Sequence, residues 1–170
     1  MKQLNVLSLI SVLIIAFNFN SIGQITLPEV KVVSLNYKYL RSVDDTAAAQ
    51  PVRLLEHKVA NYDIKNSDLY DEDFEEYYVS FFIPDGEILA FYNKEGKIYR
   101  TAERFKNIAL PKPVRESIAQ KYPQWSIHKD VYLVQYFPEV KDTKKIYRIV
   151  IENGNKKVRL RSTEAGELLN

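Results

Sequence analysis

The chain has 170 residues and no cysteine, with 46% hydrophobic and 12% aromatic content and a formal net charge of +2. These values exclude a disordered chain, a disulfide-stapled scaffold and thiol chemistry, and they give no general pull towards nucleic acid. Export permits disulfides, so a cysteine-free exported chain is held by its core alone.

The first 23 residues read as a signal peptide. Lys2 is the positive start, Val6 to Phe17 is a mostly apolar run, and Ser21-Ile22-Gly23 places small residues where a signal peptidase reads. Cleavage is expected before Gln24. The apolar run is shorter than the roughly 20 residues a membrane span needs, so no stable transmembrane span is expected after cleavage.

Val30 to Leu40 is predicted as a half-buried strand, with Val33, Leu35, Tyr37 and Tyr39 on one face. After a polar, alanine-rich loop, Pro51 opens a helix whose apolar stripe is Val52, Leu55 and Val59; Asn61 is its stop. On this reading Glu56, His57 and Lys58 form the polar helix face. Tyr77 to Ile83 and Ile88 to Tyr92 flank Pro84-Asp85-Gly86 as a hairpin, followed by a short strand through Ile98 and Tyr99.

The second half follows the same plan. Pro113 opens a helix with the stripe Val114, Ile118 and Tyr122, which Pro123 ends. Trp125 is expected where helix meets sheet. Trp125 to Ile127 and Val131 to Phe137 read as strand, and Ile146 to Ile151 and Val158 to Ser162 flank Asn153-Gly154-Asn155 as a second hairpin. Tyr77 and Tyr147 are offset by 70 residues, and so are Gly96 and Gly166. The apolar face keeps register between the halves, so the chain reads as a tandem of helix-then-antiparallel-strands units.

The second-half run LPKPV, YPQW, IYRIVI, KVRLR and TEAGELL, from Leu110 to Leu169, resembles the PepSY-like domain family. Ala47 to Arg100 resembles it more weakly. The resemblance implies the α+β fold of the β-lactamase inhibitor proteins, with a helix or two on one face of an antiparallel sheet, in tandem copies. It divides the chain into a signal peptide (1–23), an N-terminal strand and loop (24–46) and two units (47–109 and 110–170). It also implies a periplasmic or secreted protein that binds a protein or peptide, and it carries no catalytic residue with it.

No residue pattern supports an enzyme. His57 and His128 are isolated surface histidines, and there is no phosphate-cradling glycine motif. Catalytic residues, metal and cofactor are all expected to be none. The stretch DLYDEDFEEYY lacks the calcium-loop pattern and reads as a solvated acidic segment. A carboxylate-using hydrolase or an envelope structural protein are the alternatives. A cleft with desolvated carboxylates would favour the former, and an open concave sheet a binding module.

Charge is distributed unevenly. Asp63 to Glu87 holds nine carboxylates and one lysine, whereas Lys141 to Arg161 holds eight basic residues and two acidic ones. The two regions would attract each other within or between molecules. Strand alternation puts Tyr78, Phe82, Leu89 and Phe91 on the sheet face away from the helices in the first unit, with Arg148, Arg159 and Arg161 on that face in the second. The candidate partner-binding surface is Tyr78, Phe82, Phe91, Arg159 and Arg161.

Overall fold

The computed structural model describes residues 34–139 and 143–169. The signal-peptide reading and its cleavage before Gln24 lie outside the described residues. The elements in chain order are α1 (Tyr37–Val43), α2 (Gln50–Asn61), a 3-10 turn (Ile64–Asn66), β1 (Glu76–Ile83), β2 (Gly86–Asn93), β3 (Ile98–Lys106), α3 (Lys112–Lys121), β4 (Ser126–Tyr136), β5 (Lys144–Asn153), β6 (Lys156–Ser162) and β7 (Leu168–Leu169). The fold is α+β. All seven strands form one antiparallel sheet in the order β1-β2-β3-β4-β5-β6-β7, so each strand pairs with its neighbours in sequence.

Both longer helices start on a proline in their first turn, where the missing N–H costs no hydrogen bond. The stripe of α2, Val52, Leu55 and Val59, is buried, as are Val114 and Ile118 of α3. They pack on one face of the sheet, to which β1–β5 contribute Tyr77, Phe81, Ile88, Ala90, Phe105, Tyr132, Val134, Tyr147, Ile149 and Ile151. The hairpin at Pro84-Asp85 pairs Ile83 with Gly86, and that at Gly154-Asn155 pairs Asn153 with Lys156. The C-terminal turn docks on α3 through Gly166, which has φ +83°. A Cβ there would lie 2.5 Å from the Pro113 carbonyl oxygen.

Three sequence expectations are corrected. The strand read over Val30 to Leu40 is not one in its described part: residues 37–43 form helix α1, which buries Tyr39 and Val43 at i, i+4 and leaves Leu35 and Tyr37 exposed. The alternation was real in composition, but burial follows the helical period. Strand β3 does not stop near Tyr99 but runs to Lys106, because Thr101 and Glu103 face inward as buried polar residues that break the apolar pattern. The two pieces Trp125 to Ile127 and Val131 to Phe137 are one strand, β4, whose register shifts between Ile127 and Lys129. Trp125 packs edge-on to Tyr122, with ring centres 6.0 Å apart, and is half-buried against the core.

Candidate functional site

The two sheet faces carry different chemistry. Between helices and sheet lies a buried polar cluster. Glu103 on β3 accepts hydrogen bonds at Oε1 from Tyr39 Oη at 2.9 Å and Thr101 Oγ1 at 2.7 Å. Glu56 on α2 is buried close enough to Glu103 for the two charges to oppose each other. Both Glu56 oxygens and Glu103 Oε2 are buried with no hydrogen-bond partner among the described residues. Burial, and then the Glu103 charge, push the Glu56 carboxyl well above its ordinary 4.5. Burial also raises Glu103, against the hydrogen bonds from Thr101 and Tyr39.

Lys145 on β5 closes the cluster. Its Nζ donates to the Val43 carbonyl at 2.9 Å and lies 3.5 Å from Glu164 Oε1, which also accepts from Tyr132 Oη at 2.7 Å. Tyr132 and Tyr147 stack at 4.4 Å.

The reading of Glu56 as part of the polar helix face is therefore overturned. It lies four residues from both Val52 and Ala60, within the buried stripe, and that spacing was the available signal. Glu103 had no such signal, because its strand was not read that far. Glu56 is 0% and Glu103 3% exposed, so neither carboxyl faces an open cleft where a substrate could meet it.

The outer face is uncovered by the described helices. Tyr78 is 70% and Phe82 65% exposed. Tyr78 meets Phe91 edge-on at 5.8 Å, and the Arg100 guanidinium lies over Phe91 at 5.0 Å and over Phe137 at 5.4 Å. These four residues form an aromatic–arginine row across β1–β3 and the end of β4. Phe82 lies further along β1, beside Glu87 on β2.

The predicted site residues do not form one patch. Tyr78 and Phe91 come together, and Arg159 and Arg161 share the exposed face of β6. Five strand steps separate β1 from β6, which is about 24 Å at the usual strand spacing.

Between them lies a depression of about 360 Å³. Its floor is apolar, with half-buried Leu89, Ala102, Leu133 and Ile146. Its rim carries Arg104, Lys144, Arg148 and Arg161 and one exposed acid, Glu87; Glu103 also lines it, but its carboxyl is bonded to Tyr39 and Thr101 on the inner face. Glu87 stands opposite Arg104 across β2 and β3, and Arg148 stands directly opposite Arg161 across β5 and β6. Among the described residues, none of these four cations makes an ion pair within 4.0 Å. A directly opposed like-charge pair destabilises a sheet unless an anion relieves it. Of the sequence-predicted set, only Arg161 lines this depression.

His57 is half-buried at the surface, 3.8 Å from Asp44, and His128 is exposed, 3.2 Å from Glu152. Among the described residues no group of three His, Asp or Glu side chains is placed to hold a metal ion. No described helix is long and apolar enough to cross a membrane.

No protein-family model and no curated protein matches the chain. Among solved structures, it is similar to a DUF2874 family protein from Bacteroides uniformis at 14% identity, covering 56% of this chain and 69% of that one, with a TM-score of 0.36. A DUF2874 family protein from Bacteroides ovatus is similar at 20% identity, covering 59% and 70%, with a TM-score of 0.35. A BLIP-like protein from Bacteroides fragilis is similar at 19% identity, covering 59% and 69%, with a TM-score of 0.33. With all three scores below 0.5, the fold of this chain stands on its own topology.

Proposed function

We propose that this chain is an exported, non-enzymatic binding module, built as two tandem PepSY-like units, that recognises a protein or peptide through the outer face of its sheet. The observation that carries the reading is the outer depression, where an apolar floor is ringed by cations without partners among the described residues. An open face of this kind offers desolvation at its centre and charge selection at its rim, and aromatic and arginine side chains dominate binding hot spots. The buried carboxyls do not support a hydrolase, because a general acid or base must reach the proton it transfers. The apolar N-terminal run supports a periplasmic or secreted location after cleavage before Gln24, and N-terminal sequencing of the exported protein tests that step.

Affinity capture from the cell envelope, with the protein as bait, tests the function. Replacing Phe82 and Arg161 together with Ala should abolish capture of the identified partner while leaving the melting temperature within a degree or two. Capture that survives both replacements would remove the outer face from the function.

A further inference from the structure

The acidic segment before β1 and the outer depression are each incomplete alone. Asp68, Asp71, Glu72, Asp73, Glu75 and Glu76 are all exposed. Among the described residues only Glu75 of these has a cation in ion-pair reach, Lys94 Nζ at 2.9 Å. Two large apolar side chains stand among these acids, Leu69 at 56% and Phe74 at 57% exposure.

The segment is also held in shape. Asp71 Oδ1 accepts from the Asp73 N–H at 2.9 Å, Tyr77 Oη bonds the Asp71 backbone, and Tyr70 stacks on Tyr77 at 5.5 Å. Acid and apolar groups are therefore presented in a fixed loop, which lowers the ordering cost of binding.

The depression offers the complement: an apolar floor for a Phe or Leu side chain, and Arg148, Arg161 and Lys144 for carboxylates. The two cannot meet within one molecule. The acidic segment leads into β1 at one edge of the sheet, while Arg148 and Arg161 lie on β5 and β6, four and five strand steps away. Among the described residues no ion pair joins the two regions.

We propose that the occupant of the outer depression is the acidic segment Asp68–Glu76 of a second copy of this chain, with Phe74 on the apolar floor and its carboxylates on Arg148 and Arg161. This rests on the outer face being the recognition surface. A two-fold axis lets each copy supply its segment to the other's depression, so the assembly closes as a dimer with two equivalent contacts. Glu87 on the rim disfavours a polyphosphate ligand, and the aliphatic floor offers no platform for stacked bases.

Charge reversal tests this with the whole protein. The wild type should sediment as a dimer at an ionic strength of about 0.01 M, where the Debye length is about 30 Å, and as a monomer near 1 M. One variant carries Arg148→Glu and Arg161→Glu; the other carries Glu72→Lys and Asp73→Lys. All four positions are exposed, so both variants should melt like the wild type, and each alone should be monomeric at low salt. Mixed together they should form a heterodimer, because each reversed surface then meets its opposite in both contacts.

A wild type that stays monomeric at about 100 µM and low salt, or a dimer that survives both reversals, would overturn the proposal. A monomeric wild type that still binds a labelled peptide spanning residues 67–77, with loss on Arg148→Glu, would overturn the second copy as occupant and leave outer-face recognition standing. A monomer that ignores the peptide, and whose captured partner is unaffected at Phe82 and Arg161, would overturn both.

Discussion

On the helix-covered face of the sheet, Glu56 and Glu103 bury two acids: Tyr39 and Thr101 donate to Glu103, Lys145 lies nearby, and burial favours the neutral form of Glu56. On the open face, Arg148 and Arg161 stand opposite each other with no anion among the described residues in ion-pair reach. Like charges occur on both faces, but among the described residues only the inner pair has donors and a cation beside it. An uncompensated charge pair in otherwise well-paired surroundings marks a surface that is completed by something else.

Phenylalanine probes the two faces most directly. Phe105 is fully buried on the inner face, so Phe105→Ala should cost roughly 3–5 kcal/mol in urea unfolding. Phe82 is 65% exposed on the outer face, and Phe82→Ala should change stability by less than about 0.5 kcal/mol. Comparable losses at the two positions would mean that the outer face is also core.

The buried acids set a pH dependence. Their folded-state values lie above the ordinary 4.5, so the folded protein holds protons that the unfolded chain releases. Their contribution is fully present below the unfolded value and is lost as pH rises through the folded values. The melting temperature should therefore fall between about pH 5 and pH 9. Glu56→Gln, which cannot ionise, should flatten that fall and stabilise the protein by roughly 1–2 kcal/mol at the alkaline end. A wild type as stable at the alkaline end as at the acid end would show the pair to be ionised at no cost.

The smallest effect belongs to the outer cations. Arg148→Ser removes one half of the opposed arginine pair, so it should raise stability by a few tenths of a kcal/mol at low salt and by nothing at high salt. The same substitution should weaken binding. Destabilisation instead would show that Arg148 packs structurally along the sheet.

Much of the inner face was legible. The stripes Val52, Leu55, Val59 and Val114, Ile118, and the alternation Tyr77, Phe81 with Ile88, Ala90, follow the helical and strand periods, and both proline-opened helices and both hairpins lie where these patterns put them. The missed elements each involve a polar residue facing inward or a short segment that satisfies two periods. Glu56, Thr101, Glu103 and Asp130 are buried polar residues, which hydrophobic patterning assigns to solvent. Leu35, Tyr37 and Tyr39 keep a strand-like spacing into the first turn of helix α1, and only the partner at Val43 reveals the helix.

The site was legible in part. Alternation put Tyr78, Phe82 and Arg161 on the open face, but not how many strands separate them, because strand order is a tertiary property. The depression lies over β2–β6, where Arg104, Leu133 and Ile146 converge from segments that are far apart in sequence.

The order of strands in space, identical to their order along the chain, also bears on how the protein reaches its fold. Each strand pairs with the one just before it, so every closure in the sheet spans a short loop except that from β3 to β4, which carries α3. Short loops cost little entropy to close, and chains dominated by such pairings fold quickly. The sheet can therefore grow one strand at a time from its N-terminal side, with each completed hairpin serving as the template for the next strand. A chain with no cysteine to lock intermediates gains from such an order, since no early strand waits unpaired for a distant partner.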